Sequence, residues 1–90
     1  MIEARRYLIS GRVQGVGYRF FAEDAARREG VHGFVRNLPD GRVEVVAEAD
    51  AEALIRLERL LQAGPRNARV ERVEHETVMP TGRPTGFSIR

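Results

Sequence analysis

Polar and apolar residues alternate from Arg5 to Val13, with Tyr7, Ile9, Gly11 and Val13 on one side and Arg6, Leu8, Ser10 and Arg12 on the other. A period of two over this length predicts a half-buried strand. Beyond a short glycine-containing stretch the period changes. Tyr18, Phe21, Ala22 and Ala25 fall at i, i+3, i+4 and i+7, which predicts a helix with one apolar stripe, ending at Gly30. Two strand-like runs follow, Val31 to Leu38 and Arg42 to Ala49, joined by Pro39-Asp40-Gly41, whose fixed φ and glycine suit a tight turn. Asp50 stands where an N-cap would open a second helix over Ala51 to Gln62, with Leu54, Leu57 and Leu61 as its stripe and Gly64-Pro65 as its end. Val70 to Val78 reads as a further strand whose phase shifts between Val70 and Val73, a sign of a bulge, and a last short strand is expected at Phe87 and Ile89.

The order strand, helix, strand, strand, helix, strand is that of an α+β, ferredoxin-like β-α-β-β-α-β sandwich: an antiparallel sheet with two helices on one face and a short fifth strand at the C-terminus. Ninety residues accommodate one such domain, 1–90, around a single core. The fold hosts many functions, so function has to be read from particular residues.

Composition removes some chemistries. With no cysteine there is no disulfide, thiolate metal site or cysteine nucleophile. No apolar run reaches the roughly 20 residues of a membrane helix, and Met1 to Arg6 lacks a signal-peptide core, so a cytoplasmic location is expected. All 15 basic residues are arginine, yet the net charge is only +2, weak evidence for nucleic acid. The arginine bias fits a thermophile and a GC-rich genome equally well.

Gly11-Arg-Val-Gln-Gly-Val-Gly-Tyr-Arg19 places three glycines between the first strand and the first helix. Glycine reaches positive φ and lets backbone N–H groups approach a ligand. Successive amides at the positive end of a helix form a concavity suited to a phosphate. The string lacks the Gly-Lys-Ser/Thr ending of a Walker A loop and the spacing of G-x-G-x-x-G, so nucleotide binding is not indicated. A glycine loop by itself most often serves chain geometry alone. Arg19, at the helix start, weakens the helix by its charge, a penalty that a bound anion reverses, and its fork can grip two phosphate oxygens. Asn37, just before the turn, serves local backbone bonds in the ordinary case; if its strand lies near the loop, it can instead set a carboxamide beside the phosphate, donating to and accepting from a water. Arg36 points to the opposite face and is read as structural. Asp24, Asp40, Glu44 and Glu48 show no metal-ligand spacing and are expected on a solvated surface, while His32 and His75 have no motif around them.

The loop closely resembles the signature of the acylphosphatase family. The resemblance extends to Gly33-Phe34-Val35-Arg36-Asn37, Asp40-Gly41, Val43-Glu44-Val45, Gly64-Pro65, Ala68-Arg69-Val70 and Phe87-Ser88-Ile89-Arg90, which covers essentially the whole chain. It implies hydrolysis of acyl phosphates. The substrate phosphate would be held by Gln14, Gly15, Val16, Gly17, Tyr18 and Arg19, and the attacking water positioned by Asn37. Tyr18 departs from the family's common phenylalanine, keeping the aromatic body and adding a hydroxyl.

The leaving carboxylate, with a conjugate acid near pKa 4 by analogy with side-chain carboxyls, needs no general acid, which suits a site without a catalytic histidine. No metal and no cofactor are expected, and the partner is a small-molecule acyl phosphate, with no nucleic acid, no membrane and a monomeric state. The alternative is a noncatalytic phosphate- or RNA-binding ferredoxin-like module, disfavoured by the absence of an RNP-like string, the scarcity of aromatics and the free-standing length of the chain.

Overall fold

The computed structural model describes all 90 residues. The elements are β1 (Ile2–Arg12), α1 (Tyr18–Arg28), β2 (His32–Asn37), β3 (Val43–Asp50), α2 (Ala51–Ala63), β4 (Arg69–Val78) and β5 (Phe87–Ile89). The strands form one sheet in the order β4-β1-β3-β2-β5. Four of them pair antiparallel as the sequence pattern predicts, but β5 lies parallel to β2, so the sheet is mixed. The reason is topological: β4 occupies one edge, and the chain after it crosses to the other edge, where it arrives running in the direction of β2.

The period-two faces meet the helical stripes on one side of the sheet. Tyr7, Ile9, Val35, Val43, Val45 and Ala47 join Tyr18, Ala22, Ala25, Ala26, Leu54, Leu57 and Leu61 in a single buried cluster. Burial of this apolar surface is the main favourable term in folding. Two tyrosines satisfy their hydroxyls inside it, Tyr7 on the Leu54 carbonyl at 3.3 Å and Tyr18 on the Leu61 carbonyl at 2.7 Å.

Local details follow the sequence in most places. The bulge falls where the phase slips: Ser10 pairs with Arg72 and Gly11 with Val70, leaving Glu71 as the extra residue. Gly11 is needed there, because a Cβ on it would lie 2.1 Å from the Arg69 carbonyl oxygen. Asp50 is the N-cap of α2, but its side chain makes no capping hydrogen bond, and its carboxylate lies 3.5 Å from the N-terminal ammonium.

One expectation fails. Asp24 and Asp40 are on the surface, but Glu44 and Glu48 are buried on the sheet face away from the helices. Glu44 is clamped between the guanidinium groups of Arg36, its direct partner across β2, and Arg6, its diagonal neighbour on β1, where Leu8 is the residue directly opposite. Glu48 accepts from the Thr81 and Gly82 amides and the Thr81 hydroxyl, which pins the crossing segment to the sheet. Strand alternation places both carboxylates on the outer face; only the partners brought by other strands and by the crossing segment enclose them.

Candidate active site

β1 and β2 both run antiparallel to β3, so they are parallel to each other and their carboxyl ends lie at the same end of the sheet. Val43 of β3 pairs with Ile9 on one side and Asn37 on the other, which sets Asn37 two strands away from β1, about 10 Å by the usual strand spacing. The segment between β1 and α1 crosses that gap. Gln14 marks the crossing: its carboxamide nitrogen donates to the Leu38 carbonyl at 2.8 Å and the Arg42 carbonyl at 3.0 Å, the two ends of the β2–β3 turn. The loop is thereby tied to the hairpin immediately beyond Asn37.

Gly15 and Gly17 take φ values of 73° and 80°. Nothing would lie within 4 Å of a Cβ on either, so glycine is required by the left-handed backbone and not by crowding. Val16 between them packs against the core and anchors the loop. Gly17 is the N-cap of α1, and it has no side chain with which to cap. The consequence is electrostatic. No backbone N–H from Gly15 to Phe20 has an acceptor within the protein, and the first turn of α1 contains no acidic residue. A run of free amides at the positive end of a helix is a site for an anion. Arg19 enters from the same turn and has no carboxylate within 4.0 Å to neutralise it, unlike Arg27 and Arg28 at the far end of the helix.

Gly15, Gly17, Tyr18, Arg19 and Asn37 line one concavity of about 170 Å³, together with Val13 and Phe20. Pockets that engulf a whole drug-sized ligand run to about 300–1,000 Å³. The concavity is therefore of a size for a small group such as a phosphoryl and too small for a whole ligand of that kind. Asn37 contributes its most unusual atom here: its side-chain carbonyl oxygen is buried and has no hydrogen-bond partner in the protein. Buried polar atoms without partners are rare in native folds, and each calls for a reason such as a catalytic role or a bound water or ion.

The remaining predicted residues have different surroundings. Gln14 and Val16 do not line the concavity: the Gln14 carboxamide is bound to the hairpin and the Val16 side chain packs against the core. The Tyr18 hydroxyl is spent on Leu61, and burial pushes its pKa far above the ordinary phenol value, so it stays neutral. Arg36 pairs with Glu44 on the other sheet face. His32 accepts from the Gly86 amide through Nδ1 at 2.9 Å, and His75 lies 3.2 Å from Glu58 and against the Tyr7 ring. Neither histidine reaches the concavity. No three His, Asp or Glu side chains converge as metal ligands anywhere in the chain. Phe20 is the one lining residue that the sequence pattern did not single out; its position on the outer face of α1 beside Arg19 was the available signal.

Residues 5–89 match the family model described as acylphosphatase. A protein named acylphosphatase from Anaeromyxobacter dehalogenans is 53% identical over 85 residues, which span 94% of this chain and 91% of that protein. Solved structures agree. The acylphosphatase from Bacillus subtilis superposes with a TM-score of 0.93 at 32% identity, covering 100% of this chain and 99% of its own. An acylphosphatase from Coxiella burnetii also gives 0.93, at 30% identity over 99% of this chain and 93% of that one. With both helices, the glycine loop and all of the sheet but the first three residues of β1 inside the matched region, the chain belongs to the acylphosphatase family.

Proposed function

We propose that this acylphosphatase works by positioning and electrostatics alone, on a small-molecule acyl phosphate. The amides of Gly15 to Arg19 and the Arg19 guanidinium hold the phosphoryl oxygens, and the carboxamide of Asn37 holds the attacking water. The observation that carries this reading is the convergence, in one concavity, of unbonded amides, an unpaired arginine and a buried carbonyl oxygen with no partner. The arginine at a helix N-terminus and the buried carbonyl oxygen are each unfavourable for the free protein, and an anion with a water beside it satisfies both together with the free amides.

Asn37 accepts a hydrogen bond from the water through Oδ1 and so turns its oxygen toward phosphorus. The new P–O bond forms as the P–O bond to the acyl group breaks, the electron pair leaving on the carboxylate oxygen. The water's proton passes to a phosphoryl oxygen, so phosphate and a carboxylate are the products. Charge spreads over the three equatorial oxygens during the step, where the fixed amides and the bidentate fork of Arg19 stabilise it without reorganising. A carboxylate with a conjugate acid near pKa 4 departs unprotonated, and a site with no free acid beside it is sufficient.

The same reading takes residues 1–90 as one working unit, monomeric and cytoplasmic, without metal, cofactor, nucleic acid or membrane partner. The single core supports the reading as one unit, and no helix is long and apolar enough to cross a membrane. A noncatalytic phosphate- or RNA-binding role is not favoured in a chain with acylphosphatase relatives along its length.

The test is turnover of benzoyl phosphate in EDTA by the protein and by Arg19→Gln and Asn37→Ala. Metal-independent turnover is expected, lost in both variants by about a hundredfold or more, with inorganic phosphate affinity lost only in Arg19→Gln. Equal phosphate affinity in Arg19→Gln would remove that residue from the cradle.

A further inference from the structure

The cradle accounts for the phosphoryl end of the substrate and leaves the organic half outside it. One side chain at its rim has no other occupation. Phe20 is 68% exposed although it lines the same concavity as Arg19 and Asn37. The other two apolar side chains there, Val13 and Tyr18, are 1% exposed and belong to the core. Helix geometry explains the difference: Tyr18, Ala22, Ala25 and Ala26 make the buried stripe of α1, and Phe20 projects from the opposite side. Nothing in the fold uses its ring. It is outside the hydrophobic cluster, it pairs with no other aromatic, and no guanidinium stacks on it.

We propose that Phe20 is a specificity-determining residue for the acyl half of the substrate. It gives the leaving carboxylate's organic group an apolar, flat surface and so favours aromatic over small acyl phosphates. The inference rests on the cradle reading above. Once phosphorus is held by residues 15–19, the acyl carbon lies two bonds away, and the group it bears leaves the small concavity across the rim. Ring contact with Phe20 offers a site-specific gain to a benzoyl group that an acetyl or carbamoyl group is too small to realise. The contact is the same in substrate and transition state, because the ring is remote from the bonds that change. It therefore acts through KM and not through kcat.

The experiment compares benzoyl phosphate with acetyl phosphate in the intact protein, Phe20→Ala and Phe20→Leu. Taking the benzoyl-to-acetyl ratio of kcat/KM relative to the unchanged protein cancels the intrinsic reactivities of the two leaving groups. The ratio is expected to fall about fivefold in Phe20→Ala, through a raised KM for benzoyl phosphate. A smaller fall is expected in Phe20→Leu, which keeps apolar bulk and loses the flat face. The side chain is outside the core, so both variants should unfold at the temperature of the parent protein. An unaltered ratio in Phe20→Ala, or an equal fall in kcat for both substrates, overturns the inference and leaves the cradle intact. Absence of turnover with either substrate in the unchanged protein overturns the cradle reading itself, and this inference with it.

Discussion

The Asn37 carbonyl oxygen makes function and stability separable in one substitution. Buried and without a partner, it lacks the hydrogen bonds it makes to water in the unfolded chain. An unsatisfied buried polar group costs about 1–3 kcal/mol. Asn37→Ala removes that cost together with the packing of a side chain that is only part-buried, a loss of about 1 kcal/mol at 0.8 per methylene-sized group. The net expectation is stabilisation by about 1 kcal/mol, or roughly 4–8 °C in a domain of this size. Turnover moves the other way, falling about a hundredfold or more because the water loses its orientation. Thermal unfolding followed by circular dichroism, with and without inorganic phosphate, and benzoyl phosphate hydrolysis on the same samples read both. The phosphate-induced rise in midpoint should be preserved, since the amides and Arg19 remain. A midpoint several degrees below that of the parent protein would refute the reasoning, since it would mean that the carboxamide is satisfied in solution and serves the fold; an active variant would refute the catalytic role.

Two further expectations concern the frame around the site. Tyr18→Phe removes the donor to the buried Leu61 carbonyl and should cost about 1–2 kcal/mol in chemical denaturation, with kcat nearly unaltered because the loop amides are untouched; an equal free energy of unfolding would show that the carbonyl finds another partner. Burial alone would raise the Glu44 pKa, but the hydrogen bonds from Arg36 and Arg6 outweigh it and hold the carboxyl below its ordinary value. A folded pKa below the unfolded one stabilises the protein above the unfolded value near 4.3 and loses that contribution as pH falls through it toward the folded value. Glu44→Gln should therefore be less stable than the parent by about 1–2 kcal/mol at pH 7, a figure discounted for the exposure of both arginines. The gap should close in urea titrations below about pH 4, and a gap that persists there would place the effect in packing instead of charge.

The candidate site was legible in part because its signals are local. Gly15 and Gly17 announce a backbone that only glycine adopts readily, and Arg19 at a helix N-terminus is unfavourable unless an anion compensates it. Such features depend on a few consecutive residues. The proximity of Asn37 to the loop was legible only as a condition, because it depends on β3 lying between β1 and β2 and pairing antiparallel with both.

Periodicity determined the faces of the strands and the stripes of the helices, and with them the single core and the order of elements, because burial selects side chains by position along a repeating backbone. It could not determine what meets those faces from a distance. The parallel fifth strand, the enclosure of Glu44 by Arg6 and Arg36, the grip of Glu48 on the crossing segment and the Gln14 tie to the hairpin all join residues far apart in sequence. So does the burial of the Asn37 carbonyl. Each is fixed by strand order and register, which arise from the packing of the whole chain and leave no mark in any one stretch of it.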